Sequence, residues 1–71
     1  MSDIKLLDVV ALKMSMPEKG LVSGHVGTVV EILADGVFEV EFCDSNGKAY
    51  AILSLKKDQL MLLHYEPVGA G

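Results

Sequence analysis

The chain is short of several residue types. It has one cysteine, Cys43, no tryptophan, and no arginine among its six cationic side chains. A single cysteine cannot close an internal disulfide, so no disulfide framework supports the fold. A lone thiol suits a reducing compartment, and the expected location is the cytoplasm. No apolar run approaches the roughly eighteen residues of a membrane-spanning helix. The opening "MSDIKLLDVVALK" carries Asp3, Lys5 and Asp8 inside its apolar run, which is unlike a signal peptide. The formal net charge is −4. Phosphate contacts need cations, and base readout relies heavily on arginine, so nucleic acid is an unfavoured partner.

Catalytic and ligand-binding sets are equally thin. His25, Cys43 and His64 are the only imidazole or thiol groups and lie far apart in sequence. They lack the paired spacing of a structural zinc site. The serines sit in no nucleophile-elbow context, and Cys43 reads as a small filler beside a turn. "GLVSGHVG" places glycines at 20, 24 and 27, but it opens a strand and lacks the Lys-Ser/Thr ending of a phosphate loop. Gly27 reads as the point where a barrel strand bends, through a bulge. Two Tyr and two Phe are too few for an aromatic cage. Glu31, Glu39 and Glu41 read as a solvated sheet face. The expectation is a non-enzymatic protein with no catalytic residues, no metal and no cofactor.

What is abundant is aliphatic. The hydrophobic fraction is 51% in only 71 residues. One domain is implied, over 1–67, with 68–71 as a flexible tail. A domain this small hides only about 60% of the surface its unfolded chain exposes. The aliphatic surplus therefore predicts an exposed apolar patch and a covering partner: a second copy of the chain, or another protein.

The pattern predicts five short strands. Ile4–Lys13 is the first, with Ile4, Leu6, Val10 and Leu12 in one phase; a short helix over Ile4–Asp8 competes for its beginning. Met14–Gly24, broken by Pro17 and two glycines, is a long loop, a feature that often carries function. His25–Leu33 and Val37–Phe42 form a hairpin around "ADG". In the latter strand Phe38, Val40 and Phe42 face inward, while Glu39 and Glu41 face water. "DSNG" is a further turn, Lys48–Leu55 the fourth strand, "KKDQL" a single 3₁₀ turn, and Leu60–Glu66 the fifth strand. This order predicts a small all-β, five-stranded antiparallel SH3-like barrel, with a long loop after strand one and a 3₁₀ turn before strand five; an OB-like barrel is the alternative. The residues expected to meet a partner are Met14, Met16, Leu21, Val22, Met61, Leu63 and Tyr65.

Two resemblances follow from these motifs. "GHVGTVVEIL" has the glycine-valine opening of KOW-type SH3-like barrels, and Val26–Val29, Val40–Phe42, Tyr50 and Asp58–Leu60 look similar to segments of small electron-transfer subunits of that fold. They imply two alternatives, an RNA- or ribosome-binding barrel or an accessory subunit of an enzyme complex. More extensively, "LLDVVAL", "PEKGLVSGHVGTVVEIL", "DGVFEVEF" and "LKKDQLMLLHYEP" resemble a bacterial family catalogued as domain of unknown function 4926. That resemblance spans Leu6–Pro67. It implies a compact stand-alone barrel, the small partner of a bacterial accessory protein pair, and supplies no catalytic residues.

Overall fold

The computed structural model describes residues 4–64. Five strands, β1 (Val9–Leu12), β2 (Val26–Ala34), β3 (Val37–Cys43), β4 (Ala49–Lys56) and β5 (Leu60–Leu62), form one antiparallel sheet in the order β4-β3-β2-β1-β5. Two single-turn 3₁₀ segments interrupt it: η1 (Pro17–Lys19), in the long loop, and η2 (Lys57–Gln59), between the last two strands. This order, with a 3₁₀ turn before the final strand, is SH3-like.

The sheet rolls without closing. β4 and β5 are its two edges, and no ladder joins them among the described residues. Yet Leu55 from β4 and Leu60 from β5 belong to the same buried cluster as Val10, Leu12, Leu21, Val29, Phe38, Val40 and Phe42. Only a sheet curled onto itself lets both edges reach one core. Burying a large apolar side chain contributes about 1.5–3 kcal/mol, so Phe38 and Phe42, each almost fully buried, are principal anchors.

β3 forms because its sequence alternates with the pleat. Phe38, Val40 and Phe42 are buried, and Glu39 and Glu41 lie on the other face. The turn after it is built by Asp44. Its Oδ1 accepts the N–H groups of Asn46 at 2.8 Å and Lys48 at 3.0 Å, and Gly47 takes the left-handed conformation at φ 80°. η2 is held by Gln59, whose Oε1 accepts the Lys56 N–H at 2.9 Å. It is tied to the β2–β3 turn by Lys57 N–H to Gly36 C=O, 2.9 Å, and to the end of β1 by Lys13 N–H to Gln59 C=O, 2.8 Å.

Three expectations need correction. β1 begins at Val9, because the chain before it is a turn: Asp8 Oδ2 accepts the Lys5 N–H at 2.8 Å, and Leu7 sits at φ 71°. Leu6 is consequently exposed while Ile4 is buried, although they share a phase. β5 ends at Leu62; Leu63 and His64 follow it outside the strand, and Tyr65 and Glu66 lie outside the described residues, as does the expected boundary at residue 67. Gly27 is not at a bulge. A Cβ there would meet Val40 Cγ1 at 2.7 Å and Glu41 O at 2.9 Å, so the glycine admits close approach of β3. The bulges lie elsewhere: the register shifts between Val29 and Glu31, between Ile32 and Ala34, and between Phe42 and Cys43, where β4 carries the extra residue.

Candidate interaction surface

Antiparallel partners project to the same side of a sheet, so the register lays out the outer face row by row. One row runs Met61–Ala11–Val26 across β5, β1 and β2. It is apolar from end to end, and Met61 and Val26 are about half exposed, at 53% and 49%. The next row is mixed: Val9, Thr28, Glu41 and Ile52. The third is Glu31, Glu39 and Ser54. The outer face thus grades from apolar at the β5 side to acidic towards β3. Glu31 directly opposite Glu39 is a like-charge pair, which weakens a sheet locally. The Ser54 hydroxyl reaches Glu39 Oε1 at 3.4 Å, a long hydrogen bond.

The three extra residues at the bulges, Val30, Leu33 and Tyr50, all carry large apolar side chains, and all are exposed. A bulge residue is left without a cross-strand partner, and the strand bends and twists more strongly there. These positions therefore add apolar surface beyond that of the regular cross-strand rows.

The long loop is a braced structure. Met16 and Leu21 form an isolated bridge, with Met16 N–H to Leu21 C=O at 2.8 Å. Ser15 Oγ accepts the Ser23 N–H at 3.0 Å, and the Ser23 hydroxyl donates to Lys13 C=O at 2.9 Å. His25 Nδ1 accepts the Val22 N–H at 3.0 Å, and its ring stands edge-on to Tyr50, with centroids 6.2 Å apart. His25 thus locks the loop to the sheet, a role that its position before a strand did not reveal.

Of the residues expected to meet a partner, Met14, Val22 and Met61 are exposed. Met16 and Leu63 are half-buried, Met16 packing against the core. Leu21 is a correction: it is fully buried, because the bridge to Met16 folds the loop back and inserts its side chain into the core. Tyr65 lies outside the described residues. The exposed residues do not form a single loop patch. Met61 joins Val26 on the outer face, a juxtaposition that depends on β1 lying between β2 and β5.

Cys43 is exposed at the end of β3. Its thiol is held above the ordinary cysteine range, first by partial loss of hydration and then by the negative Glu41 and Asp44. Its Sγ–H lies 3.7 Å from Glu41 Oε1. This setting opposes the thiolate, the form a nucleophile needs. Among the described residues, no three His, Cys, Asp or Glu side chains come together as metal ligands. No helix among them is long and apolar enough to cross a membrane.

The family model described as Domain of unknown function (DUF4926) matches residues 6–62. The chain belongs to that family. The matched span contains all five strands and ends with β5, so the DUF4926 unit and the rolled sheet coincide. Neither a curated protein nor a solved structure significantly matches the chain. The case for what this DUF4926 sheet does therefore rests on its surface chemistry.

Proposed function

We infer that the chain is a non-enzymatic protein-interaction module of the cytoplasm, working either as a homodimer or as the small partner of another protein. The observation that carries this reading is the apolar outer row Met61–Ala11–Val26, half exposed and continuous across three strands. Contiguous apolar surface on a small soluble domain is costly in water and marks a contact site. The bulge residues Val30, Leu33 and Tyr50 enlarge the same kind of surface. The low nucleophilicity expected of Cys43 supports a binding role over a thiol-based catalytic one.

The lysines lend little support to a nucleic-acid groove. Lys5, Lys13, Lys19 and Lys48 sit in separate turns and loops, and only Lys56 and Lys57 adjoin. A phosphate track needs cations aligned along one surface.

Sedimentation of the full chain, binding of an apolar dye, and affinity capture from the native host test the reading together. Self-association, or a stoichiometric protein companion, is the expected result. A monomer at every concentration, with weak dye binding and no companion, overturns it.

A further inference from the structure

The two edges of the sheet are treated differently. β5 offers three residues, and short edge strands are one way proteins avoid unwanted pairing. β4 offers eight, and from Ala49 to Leu55 it has no charge and no proline, the other usual defences. Its lysines stand only at the flanks, Lys48 and Lys56.

The ladder phase identifies which β4 groups are free. Lys57 donates to Gly36 C=O at 2.9 Å. Opposed residues in an antiparallel ladder alternate between hydrogen-bonded and non-bonded pairs. Counting back along the pairing of Lys56 with Val37, Leu55, Leu53 and Ala51 turn their N–H and C=O groups to β3, whereas Lys56, Ser54 and Ile52 turn theirs outward. The side chain of Gln59 confirms this phase, because its Oε1 takes the outward N–H of Lys56. Ile52 and Ser54 are left with outward backbone donors and acceptors, and no backbone bond outside the ladders reaches them among the described residues. Ile52 also exposes 54% of its surface.

We propose that this free edge pairs antiparallel with β4 of a second copy of the chain, about a two-fold axis at Leu53. The proposal rests on the protein-interaction reading above and names a second copy as the partner, at an edge distinct from the outer row Met61–Ala11–Val26. The register follows by elimination. An axis at Ile52 would set Lys48 against Lys56 of the other copy and draw on Tyr50, which is bulged. An axis at Ser54 would need the Lys56 N–H, already taken by Gln59. An axis at Leu53 sets Ile52 of each copy opposite Ser54 of the other, and each such pair exchanges both N–H···O bonds. It satisfies the free groups of Ile52 and Ser54, brings no like charges face to face, and joins two sheets into one continuous sheet. A hetero-partner could add a strand to the same edge, but this edge is already self-complementary, as a two-fold contact requires.

The test is sedimentation equilibrium of the full chain from low to high micromolar concentration, with amide hydrogen exchange read residue by residue. The expected result is a dimer whose Ile52 and Ser54 amides are protected, with protection lost on dilution. Ser54→Pro removes an outward donor that the monomer does not use, so the fold persists. It should weaken the dimer roughly tenfold or more. Ile52→Lys sets a cation beside Glu41, which the monomer tolerates, and should weaken the dimer similarly. A folded Ser54→Pro or Ile52→Lys protein that dimerises as tightly as the parent places self-association on another face. That overturns edge pairing and leaves the interaction reading standing. A monomeric parent with these amides unprotected also overturns edge pairing, and the dye and capture experiments then decide the broader reading. Protection of the two amides in a monomer means that the edge is covered without a second copy, which likewise overturns the proposal.

Discussion

β2 and β3 pair along most of their length, yet they obey different rules. β3 alternates without a break: one face is core, and the other carries Glu39 and Glu41. β2 follows the same rule only through Gly27 and Val29, then breaks it twice, at Val30 and Leu33. From Val30 to its end it is exposed throughout, including Ile32, although it pairs with buried Phe38. β3 specifies the interior, and β2 carries apolar residues to the exterior. A small domain has too little interior for every aliphatic residue it contains; the bulges of β2 are one place where some of them remain outside.

The sharpest way to break this contrast is to truncate the two strands in parallel. Phe38→Ala should cost about 3–5 kcal/mol, a large share of the stability of so small a domain, whereas Val30→Ala should change it by less than about 0.5 kcal/mol. Urea midpoints measure both, and equal losses would refute the division of labour. Gly27→Ala comes next, with an expected loss of about 1–3 kcal/mol, because the added methyl meets Val40 and the Glu41 backbone and the sheet must shift. A neutral result would mean that β2 and β3 have room to separate.

The pattern of β3 was legible because nothing interrupts it: a one-residue slip would bury two glutamates. The Asp44–Gly47 turn and η2 were legible for a similar reason, since short polar side chains that bond their own backbone act locally. The bulges were not. A bulge is an agreement between two strands about an extra residue, and neither strand's own sequence declares it. Leu21 was hidden in the same way. Beside Gly20 it looks like loop, and only its bridge to Met16 turns it inward. The candidate surface was legible in its total, as an aliphatic surplus, but not in its place, because Met61 and Val26 meet only through the order of the strands.

Two smaller effects sharpen the comparison. Glu31→Lys replaces a like-charge cross-strand pair with an opposite one and should stabilise the fold by about 0.2–1 kcal/mol, an effect that salt diminishes. Thermal midpoints at low and high ionic strength would show it. Cys43, at the far end of β3, has its thiol held above the ordinary range. Alkylation should therefore be slow at neutral pH and accelerate at higher pH than for a free thiol. Glu41→Gln should lower the pH at which it accelerates; an unchanged profile would remove Glu41 as a cause.

The strand order also governs how the chain reaches this state. The β2–β3 and β3–β4 ladders join neighbours through short turns, but the β1–β5 ladder joins the first strand to the last, Val10 to Leu62. Closing so long a segment carries the largest entropic cost of any pairing in the sheet, so the meander is the natural nucleus and the docking of the first strand onto the last completes folding. The apolar row Met61–Ala11–Val26 spans that same junction, so it is complete only in a chain whose first and last strands have met.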